Sequence, residues 1–369
     1  MTRVPISRKQ VLAYRAAVHG LGGGAADNVL GAGMQDNPPG RTAKLGLVLR
    51  GVDLDDRTTA LVHSVRAAMH LHRADDVGRY AAAVRPDDGA ELSRQSFGPF
   101  GEQLAADGVD LGAAVDAVAE ALRDVMADGA ARTKGELSGA VTPLVDRRVT
   151  PWCNGCGVHH VYDALFRYGT LQAGLTIEVE SPTSFRFLPP SGTAHRPDRD
   201  RSRAEIVRRF LHLAGPVKSA HLASWLGRTP AGAWRWWGLL EDEVTEIAVD
   251  RRSGWIRSED LDELTSAPEP PELRLLGPYD PVTALGDREV LVPDAARRRD
   301  VWKAVSNPGV VLVDGDIGGV WRQKTSGNRL TITIRPFDRL GPAHRRAAEA
   351  DAQTIAGHLG ATDVTVRDA

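Results

Sequence analysis

A chain of 369 residues with 42% hydrophobic content carries enough apolar side chain for a sizeable core, divided over roughly two to four modules. Its net charge of −2 excludes a uniformly basic nucleic-acid binder, and no run of about 18 apolar residues is present to span a membrane. Cys153 and Cys156 are too few and too close for a disulfide framework, and the charged N-terminus lacks a secretory apolar stretch. A cytoplasmic, nucleoid-associated protein is therefore expected.

In chain order, Ser7 and Gln10 predict a capping box that opens a helix through "SRKQVLAYRAAVHGL". Next comes "GAGMQDNPPG", Gly31 to Gly40, which sets two carboxamides and a carboxylate between a glycine-rich lead-in and two prolines. Pro38 restricts Asn37 to extended backbone. In an extended segment Gln35 and Asn37 share one face while Asp36 points the other way. A helical piece is predicted near 43–50 and a second from Asp55 to about Ala67, followed by an extended "AAMHLHR" and a helix in "ADDVGRYAAAV". The three-to-four spacing of Leu111, Val115, Val118, Leu122 and Val125 predicts an amphipathic helix. Two further helices follow in "LSGAVTPLV" and "HHVYDALFRYGTLQ", and "LTIEVESPTSFRFLP" reads as a hairpin.

Residues 202–257 form the clearest unit. A capping box of Ser202 and Glu205 starts one helix, "VKSAHLASWLG" is a second, and Pro230 at the first position of a third follows Thr229. Two strands around a basic, glycine-containing turn close it, which is the order of a winged helix. Residues 135–190 repeat this order less cleanly, and 1–95 read as a third, embellished copy. Beyond "APEPPE" the chain is strand-rich and ends in one helix and a short strand. The expected class is α+β, with modules at 1–95, 96–195 and 196–266 and a β-rich domain at 267–369.

Tandem winged helices most often bind DNA. His72, Arg73, Arg147, Arg148, Arg251 and Arg252 are the candidate DNA contacts, and Trp225, Trp234, Trp236 and Trp237 read as core. "CNGCGVHH" offers Cys153, Cys156, His159 and His160, but structural zinc sites usually draw on two separated ligand pairs. A metal-free helix N-terminal turn, its histidines touching DNA or capping backbone, is the expectation there. His70, His72 and the carboxylates after them read as a strand end beside the channel rather than a metal set. "GGGAADNVLGAG" lacks the strand and helix context of a nucleotide loop. No cofactor and no metal are expected.

The chain resembles the bacterial helix-turn-helix DNA glycosylase family, whose members remove alkylated bases and unhook interstrand crosslinks. The likeness is carried by "GAGMQDNPPG", "MHLHRADD", "WCNGCGVHH", "HLAGPVKSAHLASWLG", "LLGPYDPVTALGDRE" and "VVLVDGDIGGVWRQ". It implies a C-shaped protein of three winged-helix modules and a β-rich C-terminal domain that cradles duplex DNA. The family's Gln–aliphatic–Gln or Gln–aliphatic–Asp motif maps onto Gln35, Asp36 and Asn37, which makes these the candidate catalytic residues. The acidic middle residue and the terminal Asn depart from that pattern. They resemble the branch found beside antibiotic biosynthesis genes and dedicated to bulky N7-guanine adducts of trioxacarcin type.

The chemistry is consistent with these residue types. An N7-alkylguanine is already cationic and leaves without a general acid. Carboxamides orient a water beneath C1′ and face a dipole to the developing oxocarbenium. Asp36 is either a general base or an anchor. The expected partner is double-stranded DNA carrying alkylguanine adducts, met by a monomer with no obligate protein partner and no membrane contact. An open channel without deep base flipping, and no lyase step, are expected. A non-catalytic winged-helix regulator and a lesion-shielding protein are the alternatives.

Overall fold

A computed structural model describes residues 5–24, 26–53, 58–86, 91, 100–181, 183–190, 197–240, 242–250 and 252–369. The chain is a mixed α+β protein in which one short ordering of elements recurs. In the middle of the sequence, helix Leu111–Val125 leads to the two-residue strand Arg132–Thr133, then helices Lys134–Val141 and Asp163–Ala173, then the hairpin Thr176–Ser181/Ser184–Leu188. The short strand pairs with the second hairpin strand, Arg132 opposite Phe187. The next segment repeats the connectivity: helices Arg199–Ala214, Ser219–Leu226 and Pro230–Trp237, then the hairpin Val244–Val249/Arg252–Arg257. An isolated bridge from Val217 to Trp255 takes the place of the short strand. Near the N-terminus, strand Met34–Gln35 pairs with Met69–Arg73, which pairs with Thr59–His63. Among the described residues, helix Ala43–Val48 alone lies between that short strand and its hairpin.

Local chemistry accounts for the boundaries. The Ser7 box is formed, with the Gln10 amide N–H on Ser7 Oγ at 3.2 Å and the Ser7 N–H on Gln10 Oε1 at 3.0 Å. Thr229 caps Pro230–Trp237 through the Gly232 N–H at 3.0 Å. The box expected at Ser202 is displaced. Asp198 caps that helix, accepting from the Arg201 N–H at 2.8 Å, while the Ser202 hydroxyl donates to the Asp198 carbonyl at 2.6 Å. The helix expected up to Ala67 is a strand at Thr59–His63, paired residue for residue with Met69–Arg73. Residues 54–57 lie outside the described residues. Trp225, Trp236 and Trp237 are core as expected, whereas Trp234 is 61% exposed.

The largest apolar core runs through all three of these units. A second core lies between helix Pro342–Leu359 and a five-stranded sheet, in the order Leu273–Leu276, Gly309–Val313, Asp316–Ser326, Arg329–Pro336 and Asp363–Asp368. Leu45 and Leu49, from the helix after "GAGMQDNPPG" and the residue that caps it, belong to this second core, which seats the N-terminal motif against the C-terminal sheet. Among the described residues no helix is long and apolar enough to cross a membrane.

Buried histidines make the fold acid-sensitive. Burial is the main cause that lowers His19, His63 and His72 from 6.5 to about 3, reinforced by Arg50, Arg167 and Arg209 respectively. The folded values lie below the unfolded one, so the unfolded chain takes up protons that the folded chain refuses. Stability is full above the unfolded value near 6.5 and falls toward pH 3, by up to roughly 1.4 kcal/mol per pH unit for each histidine. Urea midpoints should therefore drop clearly between about pH 7.5 and about pH 5.5. An unchanged midpoint would mean that these rings take up protons in the folded chain as they do in the unfolded one.

Candidate active site

Strand Met34–Gln35 lies on an edge of its sheet, with Gln35 opposite His70, and the Asp36 N–H continues the pairing to the Met69 carbonyl at 2.9 Å. Alternation then turns Asp36 inward, where it is 5% exposed, and leaves Gln35 half-buried and Asn37 exposed. Gly33 enters this strand at φ 88, and a Cβ there would lie 2.2 Å from the His72 ring, so no side chain is tolerated.

The Asp36 carboxylate is committed to the loop that follows. It accepts from the backbone N–H groups of Arg41 at 3.2 Å, Thr42 at 2.9 Å and Ala43 at 3.1 Å, and from Gly40. Three of these donors belong to the turn and start of helix Ala43–Val48, groups that have no partner inside the helix. Thr42 completes the clamp, its hydroxyl donating to the Gln35 carbonyl and accepting from the Asn37 N–H, both at 3.0 Å.

Each carboxamide is oriented by a residue from another element. Arg66 Nη2 donates to Gln35 Oε1 at 2.8 Å, and Arg66 also reaches the Trp225 carbonyl. The Gln35 NH₂ group is the other end of that amide. Arg66 occupies the turn between Thr59–His63 and Met69–Arg73 at φ 56, a left-handed conformation that costs a non-glycine residue of order 1 kcal/mol. Burial lowers its guanidinium below the ordinary value. Asn37 Nδ2 donates to the Tyr279 hydroxyl at 3.2 Å, so Asn37 Oδ1 is the free end of that amide. Tyr279 precedes Asp280, which forms a buried, bidentate pair with Arg50 at 2.8 and 2.9 Å. Burial would raise the Asp280 carboxyl, but Arg50 and the Val282 N–H hold it below the usual range.

Asn37, Arg41, Tyr279, Asn307, Arg322 and Gln323 line a cleft of about 520 Å³. It adjoins a depression of about 930 Å³ on the C-terminal sheet that shares Arg322 and Gln323 and adds Lys303, Lys324, Arg335 and Arg367. Strand register explains the stripe, because Arg322 lies opposite Thr333 and Thr333 opposite Arg367. Asp300 offsets part of the charge, pairing with Arg335 at 2.7 Å.

The candidate DNA contacts fare unevenly. His72 corrects an expectation: it is fully buried, bonded to Ser64 Oγ at 2.8 Å and lying 4.0 Å from the Tyr80 ring, so it has no surface to offer DNA. Its neighbour His70 is also buried and hydrogen-bonded to the Ala68 carbonyl at 3.0 Å. Arg73 is paired with Asp76 at 2.9 Å, Arg148 with Asp146 at 2.6 Å, and Arg252 with Glu289. Arg147 is exposed on the turn Arg147–Val149. Arg251 lies outside the described residues. Arg41, Arg66, Tyr279 and the C-terminal stripe are absent from the sequence-based candidates. Tyr279 sits in "LLGPYDP", part of a stretch that carries the family likeness; nothing local marks Arg66.

The interstrand DNA cross-link repair glycosylase of Streptomyces sahachiroi is 27% identical over 177 residues, 46% of either chain, so the match spans about half the length of that relative. The solved structure of the Streptomyces sahachiroi DNA glycosylase AlkZ shares the fold, with a TM-score of 0.74 over 99% of this chain and 100% of that one at 23% identity. A family model described as DNA glycosylase AlkZ-like matches residues 29–358. With most of its length covered by that model, the chain belongs to the AlkZ-like DNA glycosylase family.

Proposed function

We propose that this protein is a monofunctional DNA glycosylase that hydrolyses the N-glycosidic bond of bulky N7-alkylguanine adducts in duplex DNA. The observation that carries the reading is the pair of carboxamides, Gln35 and Asn37, each fixed at one end by Arg66 or Tyr279, with Asn37 on the wall of a cleft that opens onto a basic sheet. The repeated helix, strand and hairpin order supports three winged-helix modules at about 1–95, 96–195 and 196–266 that cradle the duplex, with residues 267–369 as the β-rich domain. Arg41, Arg322, Lys324 and Arg367 supply phosphate contacts along the cleft, and the bulk of the adduct occupies the open space beside Asn37.

The leaving guanine is already positive, so its departure needs no proton. Asn37 Oδ1 accepts a hydrogen from the attacking water, the Gln35 NH₂ group fixes the water oxygen, and the proton released on addition to C1′ passes to solvent. Asp36 acts as a positioning residue, since its lone pairs are taken by the loop it folds. Asp36→Asn is therefore expected to lower the melting temperature and the rate together; a general base would lose rate at unchanged stability. The departure from the family's motif supports a dedicated substrate, and self-resistance to a DNA-alkylating antibiotic is the role such an enzyme fills.

The test is incubation with duplex DNA carrying an N7-guanine adduct, then alkali and strand analysis. Breaks at the lesion support the enzyme. Salt-sensitive binding without breaks identifies a regulator or a lesion shield instead.

A further inference from the structure

We propose that a hairpin tip in the middle unit binds a zinc ion through Cys153, Cys156 and His160. The strands Trp152–Cys153 and Val158–His159 pair antiparallel, with Trp152 opposite His159 and Cys153 opposite Val158. Helix Asp163–Ala173 begins only later, so this segment is not the helix N-terminal turn expected from the sequence. The intervening "NGCG" curls back on itself. The N–H groups of Cys156 and Gly157 donate to the Cys153 carbonyl at 3.3 and 2.8 Å, and Gly157 takes φ 67, a left-handed turn that suits glycine.

The two sulfurs and a His160 ring nitrogen all lie within 4.8 Å of one another. That spacing fits neighbouring corners of a tetrahedron around an ion about 2.3 Å from each sulfur. His160 Nδ1 faces the Val161 carbonyl at 2.8 Å and must donate to it, which leaves the Nε2 lone pair for the metal. This is the outer hydrogen bond that metal-bound histidines ordinarily make. His159 is held apart, its Nδ1 on the Thr150 carbonyl at 2.9 Å, so the fourth corner falls to water.

The hairpin also needs a crosslink. Its strands are two residues each, and its apolar side chains Trp152 and Val158 are 55% and 51% exposed. A two-stranded ribbon without a core is marginal in water, and a bound ion supplies the missing restraint. Binding releases the thiol protons, so affinity falls as pH falls.

The full, untagged chain purified from zinc-supplemented cells should retain about one zinc per chain through dialysis. Both thiols should react slowly with a disulfide reagent until a chelator is added. Cobalt substitution should give the intense visible bands of a tetrahedral cobalt–thiolate site. Cys156→Ser lies on the exposed tip, outside the core, and should lose the metal and speed amide exchange in the hairpin while the melting temperature of the whole chain stays unchanged. A reduced chain that holds no zinc and gives no cobalt band would overturn the proposal. So would a Cys153–Cys156 disulfide, seen as a mass lower by two hydrogens and indifferent to chelator.

Discussion

Gln35→Ala and Asn37→Ala are each expected to slow release of an adducted guanine by about 10²-fold or more, with melting temperature and DNA affinity unchanged. Gln35 is half-buried and Asn37 exposed, so neither truncation opens a core cavity. What is lost is the fixed geometry of one water. Arg66 holds the Gln35 amide by its oxygen and Tyr279 holds the Asn37 amide by its nitrogen, and each truncation removes the opposite end as well. Single-turnover kinetics on a defined lesion, together with a melting curve, separate loss of chemistry from loss of fold. Variants that match the wild-type rate would exclude both residues from the reaction.

Asp280→Ala is expected to cost about 3–5 kcal/mol of stability. Its carboxylate and the Arg50 guanidinium are almost wholly shielded, at 1% and 0% exposure, so removing one partner strands a buried charge. Arg50 further donates to the His19 carbonyl at 2.7 Å and the Gly46 carbonyl at 2.8 Å, and Asp280 accepts from the Val282 N–H at 3.0 Å. The pair therefore ties the end of the helix Ala43–Val48 to the segment that carries Tyr279. Chemical unfolding should show the loss, and catalysis should fall with it because Asn37 loses its anchor. Replacing both partners together by apolar residues should recover much of the stability, since no lone charge then remains. A single variant as stable as wild type would contradict the role of this pair.

Much of the architecture was legible in the residues because local signals and tertiary packing agree. The spacing of Leu111, Val115, Val118 and Leu122 predicts the helix observed there, and all four are buried. Alternation in "LTIEVE" and "SFRFL" likewise predicts the hairpin at 176–188. The strand Thr59–His63 was misread because Leu61, Val62 and Val65 fit a helical period as well as an alternating one. Pairing with Met69–Arg73 decides in favour of the strand, and pairing is invisible in a short window. At the site, "QDN" was legible as a polar spur beside rigid prolines, and its alternation sends Asp36 inward. The partners of that spur were not legible, because Arg66 and Tyr279 lie 31 and 242 residues from the amides they orient. His72 reads as a strand end beside the channel, and it does lie on that strand, but a ring packed on Tyr80 and bonded to Ser64 is satisfied inside.

The central claim is that a cationic base departs without a proton donor while two amides, neither of which titrates, steer the water. The pH dependence of the single-turnover rate tests this most directly, measured by mass spectrometry as free adducted base from duplex DNA. The account expects the rate, divided by the spontaneous release of the same lesion at each pH, to stay flat from about pH 7 to about pH 9, because the fold is intact and no protein group in the reaction changes charge. A rate that rises or falls tenfold per pH unit across that window would contradict it, since a titrating acid or base would then carry the reaction.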